Sequence, residues 1–156
     1  MKVLITDRYK RGVDRGRVNG LTKAILKGLG CSEDCEISIL LLDDEGIRGL
    51  NKRYLKRDRP TDVLSFPMED PLPTSHFPVV LGDVVISVET AERQAKEFGV
   101  SLGEEMVRLL IHGILHLLGL DHKGGKASVM KREEERLMSL LKEGGWISKP
   151  LSLKKG

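Results

Sequence analysis

The chain has 156 residues, 40% hydrophobic and 31% charged, with 26 Lys and Arg against 23 Asp and Glu for a net charge of +3. That composition excludes a disordered, collagen-like or disulfide-scaffolded chain, and the length suits one domain with a substantial core. No apolar run reaches the ~18 residues of a membrane span and no signal-peptide pattern opens the chain, so a cytoplasmic protein without a membrane partner is expected.

A short strand is predicted over residues 2–6. Val18, Leu21, Ile25 and Leu29 then recur at helical spacing, predicting a helix over 13–29 that Gly30 ends. Cys31 and Cys35 form a lone pair with no second pair to complete a zinc ribbon, and read as ordinary thiols. Residues 36–42 are rich in Ile and Leu and predict a strand. Asp43, Asp44 and Glu45 follow, acids suited to a helix N-terminus. That helix, to about residue 54, is expected to bury Ile47, Leu50 and Tyr54. A strand over 62–66 leads into a segment crowded with Pro67, Pro71, Pro73 and Pro78, which must be a loop. His76 lies in it and reads as a surface residue. Residues 79–88 predict a strand with Gly82 as a bulge.

The second half is helical. A short helix over 89–98 ends at Gly99. Ser101 and Glu104 form a capping box that opens a central helix running to about residue 118. This helix is apolar almost all round, which predicts burial. Its polar exceptions, Glu104, Arg108, His112 and His116, fall four apart and form one stripe. Arg108 either pairs with Glu104 or reaches an anionic substrate. A last helix over 127–142 carries Met130, Leu137 and Leu141 inward, and the basic tail from 148 reads as mobile. Strands early and helices late predict an α+β fold: a mixed sheet of about four strands covered by helices, with a buried central helix carrying the histidines.

The chemistry concentrates at His112-Gly113-Ile114-Leu115-His116-Leu117-Leu118-Gly119-Leu120-Asp121-His122. His112 and His116 lie one helical turn apart on one face, and Gly119 lets the chain turn so that His122 can return to the same point. Three imidazoles with an open fourth position suit a catalytic zinc ion. The spacing matches the metzincin peptidases, whose helix carries a Glu base beside the first His. Here that place is Gly113, which argues for a metal-dependent hydrolase of another kind. Asp121 suits either a turn or the orientation of a ligand.

Two basic clusters suit a polyanion such as RNA, or equally a solvated face. Residues 8–17 hold Arg8, Lys10, Arg11, Arg15 and Arg17, and residues 52–59 hold five basic residues in eight. Arg53, Arg57, Arg59 and Arg108 are candidate phosphate clamps. These residues leave open a metal-dependent hydrolase acting on a polyanion, a metallopeptidase-like hydrolase, and a binding module whose metal is structural.

Three motifs together resemble the YbeY family of bacterial metal-dependent endoribonucleases: the histidine segment, Pro60-Thr61-Asp62-Val63-Leu64-Ser65-Phe66-Pro67, and Leu81-Gly82-Asp83-Val84-Val85-Ile86-Ser87. The resemblance implies cleavage of single-stranded RNA in small-subunit ribosomal RNA maturation and ribosome quality control, with the small subunit and assembly factors as partners. It implies His112, His116 and His122 as ligands of one Zn2+. The family pattern before the Pro-Thr is Tyr-Arg-Gly-Lys-Asp, where this chain reads Tyr54-Leu55-Lys56-Arg57-Asp58. The expected Arg is Leu55, and Arg53, Arg57 or Arg59 is left to supply the charge.

Overall fold

Three parallel strands and one antiparallel edge strand form the sheet on which the described residues, 1–9, 11–68, 79–121 and 124–147 of a computed structural model, are assembled. In chain order the elements are β1 (Lys2–Asp7), α1 (Arg15–Gly28), β2 (Cys35–Leu42), α2 (Asp44–Leu55), β3 (Val63–Pro67), β4 (Val79–Ser87), α3 (Val88–Phe98), α4 (Leu102–Leu117), a 3-10 turn (Gly124–Lys126) and α5 (Ala127–Glu143). The expected α+β architecture is present, with element ends within two residues of expectation. The proline loop with His76, residue Lys10, His122 and the tail from 148 lie outside the described residues.

The strand order is β1-β2-β4-β3, so β4 is central and β3 is an edge. Alternation along the strands divides the core into two layers. Ile37, Ile39 and Leu41 of β2 and Val84 and Ile86 of β4 face α1, α4, α5 and the start of α3, in a cluster that includes Leu21, Ile25, Leu110, Ile114 and Leu137. Leu42, Leu64 and Val85 face the other way and pack on Ile47 of α2, flanked by Leu40, Leu50 and Phe66. The expected bulge is real: Glu36 pairs with Val80 and Ile37 with Gly82, leaving Leu81 as the extra residue. Gly82 has φ +134, and a Cβ there would meet the Phe66 carbonyl oxygen at 2.3 Å, so a side chain is excluded on both counts.

One expectation fails in α2. Ile47 is fully buried and Leu50 half-buried, but Tyr54 is 55% exposed. This single helix covers part of one sheet face, and its last turn projects beyond the packed layer. Both cysteines are free thiols, and burial pushes both above their ordinary range.

Asp44 pins α2 to the start of α3. Its carboxylate accepts from Ser87 Oγ (2.6 Å), Thr90 Oγ1 (2.5 Å) and Arg93 Nη1 (2.7 Å), while its own backbone N–H donates to Glu89 (2.8 Å). Burial alone would raise this carboxyl, but the three hydrogen bonds and the Arg93 charge outweigh it and hold it below the ordinary 3.8. A depressed carboxyl contributes stability above its unfolded-state value, lost as pH falls through the native one. Asp44→Asn is therefore expected to destabilise the protein at pH 7 by about 1–3 kcal/mol. The difference should shrink as the pH drops below about 4, as urea unfolding at pH 7 and pH 3 will measure.

Candidate functional site

Helix α4 owes its length and burial to its sequence. Ser101 caps it, accepting from the Glu104 N–H at 3.0 Å, and Met106, Leu109, Leu110, Ile114 and Leu115 are buried along it. Its last turn closes at Leu118, and Gly119 follows at φ +90, a left-handed conformation open to glycine. His112 and His116 share one side of the helix, their ring centroids 4.6 Å apart and their planes 61° to each other. Both are half-buried. Glu134 of α5 brings Oε2 to 3.7 Å from His112 Nδ1. A carboxylate on the far nitrogen of an imidazole is the arrangement that orients a metal-ligating histidine.

The donor set therefore fits a metal ion. Two imidazoles one turn apart stand with ring centroids 4.6 Å from each other, a carboxylate stands beside one of them, and the chain bends at Gly119 soon after the second. His122 lies outside the described residues, and among those residues no cluster of three or more potential metal ligands forms. Asp121 is half-buried just after the bend, and Lys126 Nζ donates to the Gly119 carbonyl at 3.0 Å, holding the returning chain against it.

Gly113 has a packing reason. A Cβ there would meet Val84 Cγ1 at 2.7 Å, Val63 Cγ2 at 3.2 Å and Ser65 Oγ at 3.3 Å. Ser65 Oγ donates to the Gly113 carbonyl at 2.8 Å. The backbone of α4 thus lies directly on β3 and β4. The place next to the first histidine, where a metzincin carries its base, points into the sheet and holds no side chain.

Arg108 takes a partner that spacing did not suggest. Its Nε and Nη2 donate to the two carboxylate oxygens of Glu105, each at 2.7 Å, in place of the expected Glu104. Glu105 is 1% exposed, so a buried carboxylate and a guanidinium form a bidentate pair within one helical turn. The same Nη2 lies 3.8 Å from Asp62 Oδ2, and that hydrogen-bonded pair raises the affinity of Arg108 for its proton. Asp62 also accepts from Gln94 Nε2 at 3.3 Å. Arg108 therefore ties α4 to the chain entering β3. The signal missed in sequence was Glu105 itself, an acid set three residues before an arginine on an apolar face.

The basic segment leaves α2 by a turn that Asn51 builds. Asn51 is buried, donates from Nδ2 to the Arg59 carbonyl at 2.9 Å, and accepts the Arg57 N–H on its backbone oxygen at 3.2 Å. Between these anchors, Lys56 takes a left-handed conformation with φ 59. Arg53, Arg57 and Arg59 are exposed. The acid of the segment, Asp58, is held by Arg48 at 2.8 Å and Lys52 at 3.9 Å. Arg53, Arg57 and Arg59 form no ion pair among the described residues, and the guanidinium of Arg53 lies over the Tyr54 ring, 5.4 Å from its centroid. Tyr54 in turn meets Phe66 of β3 edge-on, with centroids 5.4 Å apart. Strand β3 thus carries the histidine helix on Val63 and Ser65, and the end of the basic segment's helix on Phe66.

The sequence profile of the family described as Endoribonuclease YbeY matches residues 5–142. The chain is 45% identical to Endoribonuclease YbeY of Pelotomaculum thermopropionicum over 90% of its length and 97% of the relative's. It is 50% identical to that of Aquifex aeolicus over 81% and 82%, and 41% identical to that of Geobacter sulfurreducens over 94% and 100%. The solution structure of TM1509 from Thermotoga maritima superposes with a TM-score of 0.65 over 95% of this chain and 93% of that one, at 24% identity, and so shares the fold. The chain belongs to the Endoribonuclease YbeY family.

Two substitutions test this local architecture. Gly113→Ala should destabilise by about 1–3 kcal/mol, because the new methyl meets a branched, packed valine. The melting temperature should fall by about 2–4 °C for each kcal/mol at this size. Lys56→Gly, which restores the glycine of the family pattern at a left-handed position, should gain about 0.5–1 kcal/mol in urea unfolding, the relieved backbone strain exceeding the entropy that glycine loses.

Proposed function

We propose that this protein is a zinc-dependent, single-strand-specific endoribonuclease of ribosomal RNA processing. Its proposed setting is the cytoplasm, in small-subunit maturation and ribosome quality control, with the small subunit and assembly factors as partners. The observation that supports it best is the arrangement about β3: paired imidazoles on α4, and an exposed basic segment whose helix meets the same strand. A phosphodiester site needs a metal cradle and cations for phosphate. Here the basic segment's helix packs on the opposite face of the same edge strand, so an RNA strand would engage both by crossing that edge.

His112, His116 and His122 are the proposed ligands, with Glu134 orienting His112 and Asp121 orienting His122. Zinc, when bound, supplies Lewis acidity at a phosphoryl oxygen and lowers the pKa of water. Arg53, Arg57 and Arg59 neutralise backbone phosphates and hold the strand for in-line attack. Arg108, whose fork is already on Glu105, serves as a positioning residue that keeps α4 in register with the start of β3. The peptidase reading loses ground because Gly113 packs on the sheet and leaves no place there for a base to deliver a proton to an amine leaving group.

The test loads the protein with zinc and offers a single-stranded RNA, its duplex and an unfolded protein. Cleavage of the single strand alone is expected. His116→Ala should lose both the metal, by direct metal analysis, and the cleavage. Replacing Arg53, Arg57 and Arg59 with Ala should flatten the dependence of log affinity on log salt by about 0.7 per lost phosphate contact, or about 2 in all. Cleavage of the protein with both RNAs intact, or full metal retention in His116→Ala, would overturn the reading.

A further inference from the structure

The amphipathic pattern of α2 assigns Tyr54 to the core, yet the ring stands in solvent. It is 55% exposed at the end of the helix, next to Leu55 at 48%, and Met68, two residues beyond Phe66, is 49% exposed. A large aromatic ring left more than half exposed at a helix end is a candidate contact surface. The surroundings say for what. Residues 52–59 carry five cations against one acid, and that acid is already engaged by Arg48 and Lys52. An exposed aromatic ring within a cation-rich segment, with a guanidinium against it, suits a ligand with flat apolar faces on an anionic chain. The ring is also held in advance: Phe66 packs on it at 64° with centroids 5.4 Å apart, and the Arg53 guanidinium lies over one face, 5.4 Å from its centroid, so a base would settle against the ring's solvent side. Little side-chain freedom is then lost when a base settles on it.

We propose that Tyr54 is a stacking platform for a nucleobase of the single-stranded RNA substrate, with Arg53 beside it on the adjoining phosphate. This rests on the endoribonuclease reading above and adds a specific subsite to it. A base can stack only when unpaired, so the platform gives a physical reason for preferring single strands over duplex. Because every base has a π face, it adds affinity with little sequence preference.

The test uses a short single-stranded RNA carrying 2-aminopurine, whose emission reports stacking, bound to the full chain stripped of metal with a chelator so that the probe is not cut. Tyr54→Ala should weaken binding roughly tenfold and abolish the emission change. The salt slope should stay as in the parent, since no phosphate contact is lost. Tyr54→Phe should recover both signals. Circular dichroism of each variant, with Tyr54→Leu as a second apolar replacement, separates a binding defect from a folding one. If the parent binds with a clear salt slope but Tyr54→Ala matches it in affinity and emission, the stacking platform is wrong, the endoribonuclease reading stands, and the patch belongs to a different class of partner such as a protein. If the parent does not bind single-stranded RNA at all, both fall together.

Discussion

Backbone contact between α4 and the β3–β4 pair sets the positions of everything else at the site. At Gly113 the helix sits on Val63, Ser65 and Val84 with no side chain of its own between them, and Ser65 hands a hydrogen bond to the Gly113 carbonyl. An approach this close leaves little play in the helix axis. It fixes how His112 and His116 stand relative to the strand, and it leaves α5 at the distance from which Glu134 reaches His112. The Arg108–Glu105 pair and its reach to Asp62 reinforce the same junction one turn earlier. Helix and strand are thus clamped at two levels, one steric and one electrostatic.

The charge layout follows from that clamp. Around α4 the described polar groups are mainly acids with a compensating cation: Glu105, Asp62 and Glu134 about Arg108 and the histidines. A metal ion is welcome in such a setting and a bare phosphate is not. The cations that can meet phosphate lie instead in the segment after α2, exposed and shaped by Asn51 from below. The acids about α4 and the exposed arginines after α2 are kept apart, with β3 between them, so that neither set neutralises the other.

Much of this was legible in sequence, and the failures have physical causes. Apolar patterning marked each α-helix and strand among the described residues, through one apolar face in most and through burial nearly all round in α4. The bulge at Gly82 and the caps at Ser101 and Gly99 were readable because glycine and serine there answer a local backbone requirement. Tyr54 was misplaced because helical spacing reports which side of a helix is apolar and cannot report where the layer beneath it ends. Glu105 was missed because a carboxylate among leucines has no periodic signature, and its burial depends on a partner on the next turn. Asn51 was invisible for a related reason: its role is to bond a backbone carbonyl eight residues on, and any short polar residue looks the same in a string. Gly113 was noticed for what it lacks, whereas its position is explained by what it touches.

The bulge in β4 has a consequence for how this family can vary. It is the one break in pairing between β2 and β4, and beyond it the registers of β4 with β2 and with β3 both run unbroken. In β3, Val63 and Ser65 look toward α4, and Leu64 joins the layer under α2. Losing one residue from β3 would invert that assignment, setting a leucine against the Gly113 backbone and a serine in the apolar layer. Losing two would restore it, one step out of phase. An odd change of length inside β3 would therefore need a bulge to absorb it, as Leu81 does in β4, while an even change keeps each face's assignment. Change in β3 then proceeds by substitution, by pairs of residues, or by a compensating bulge.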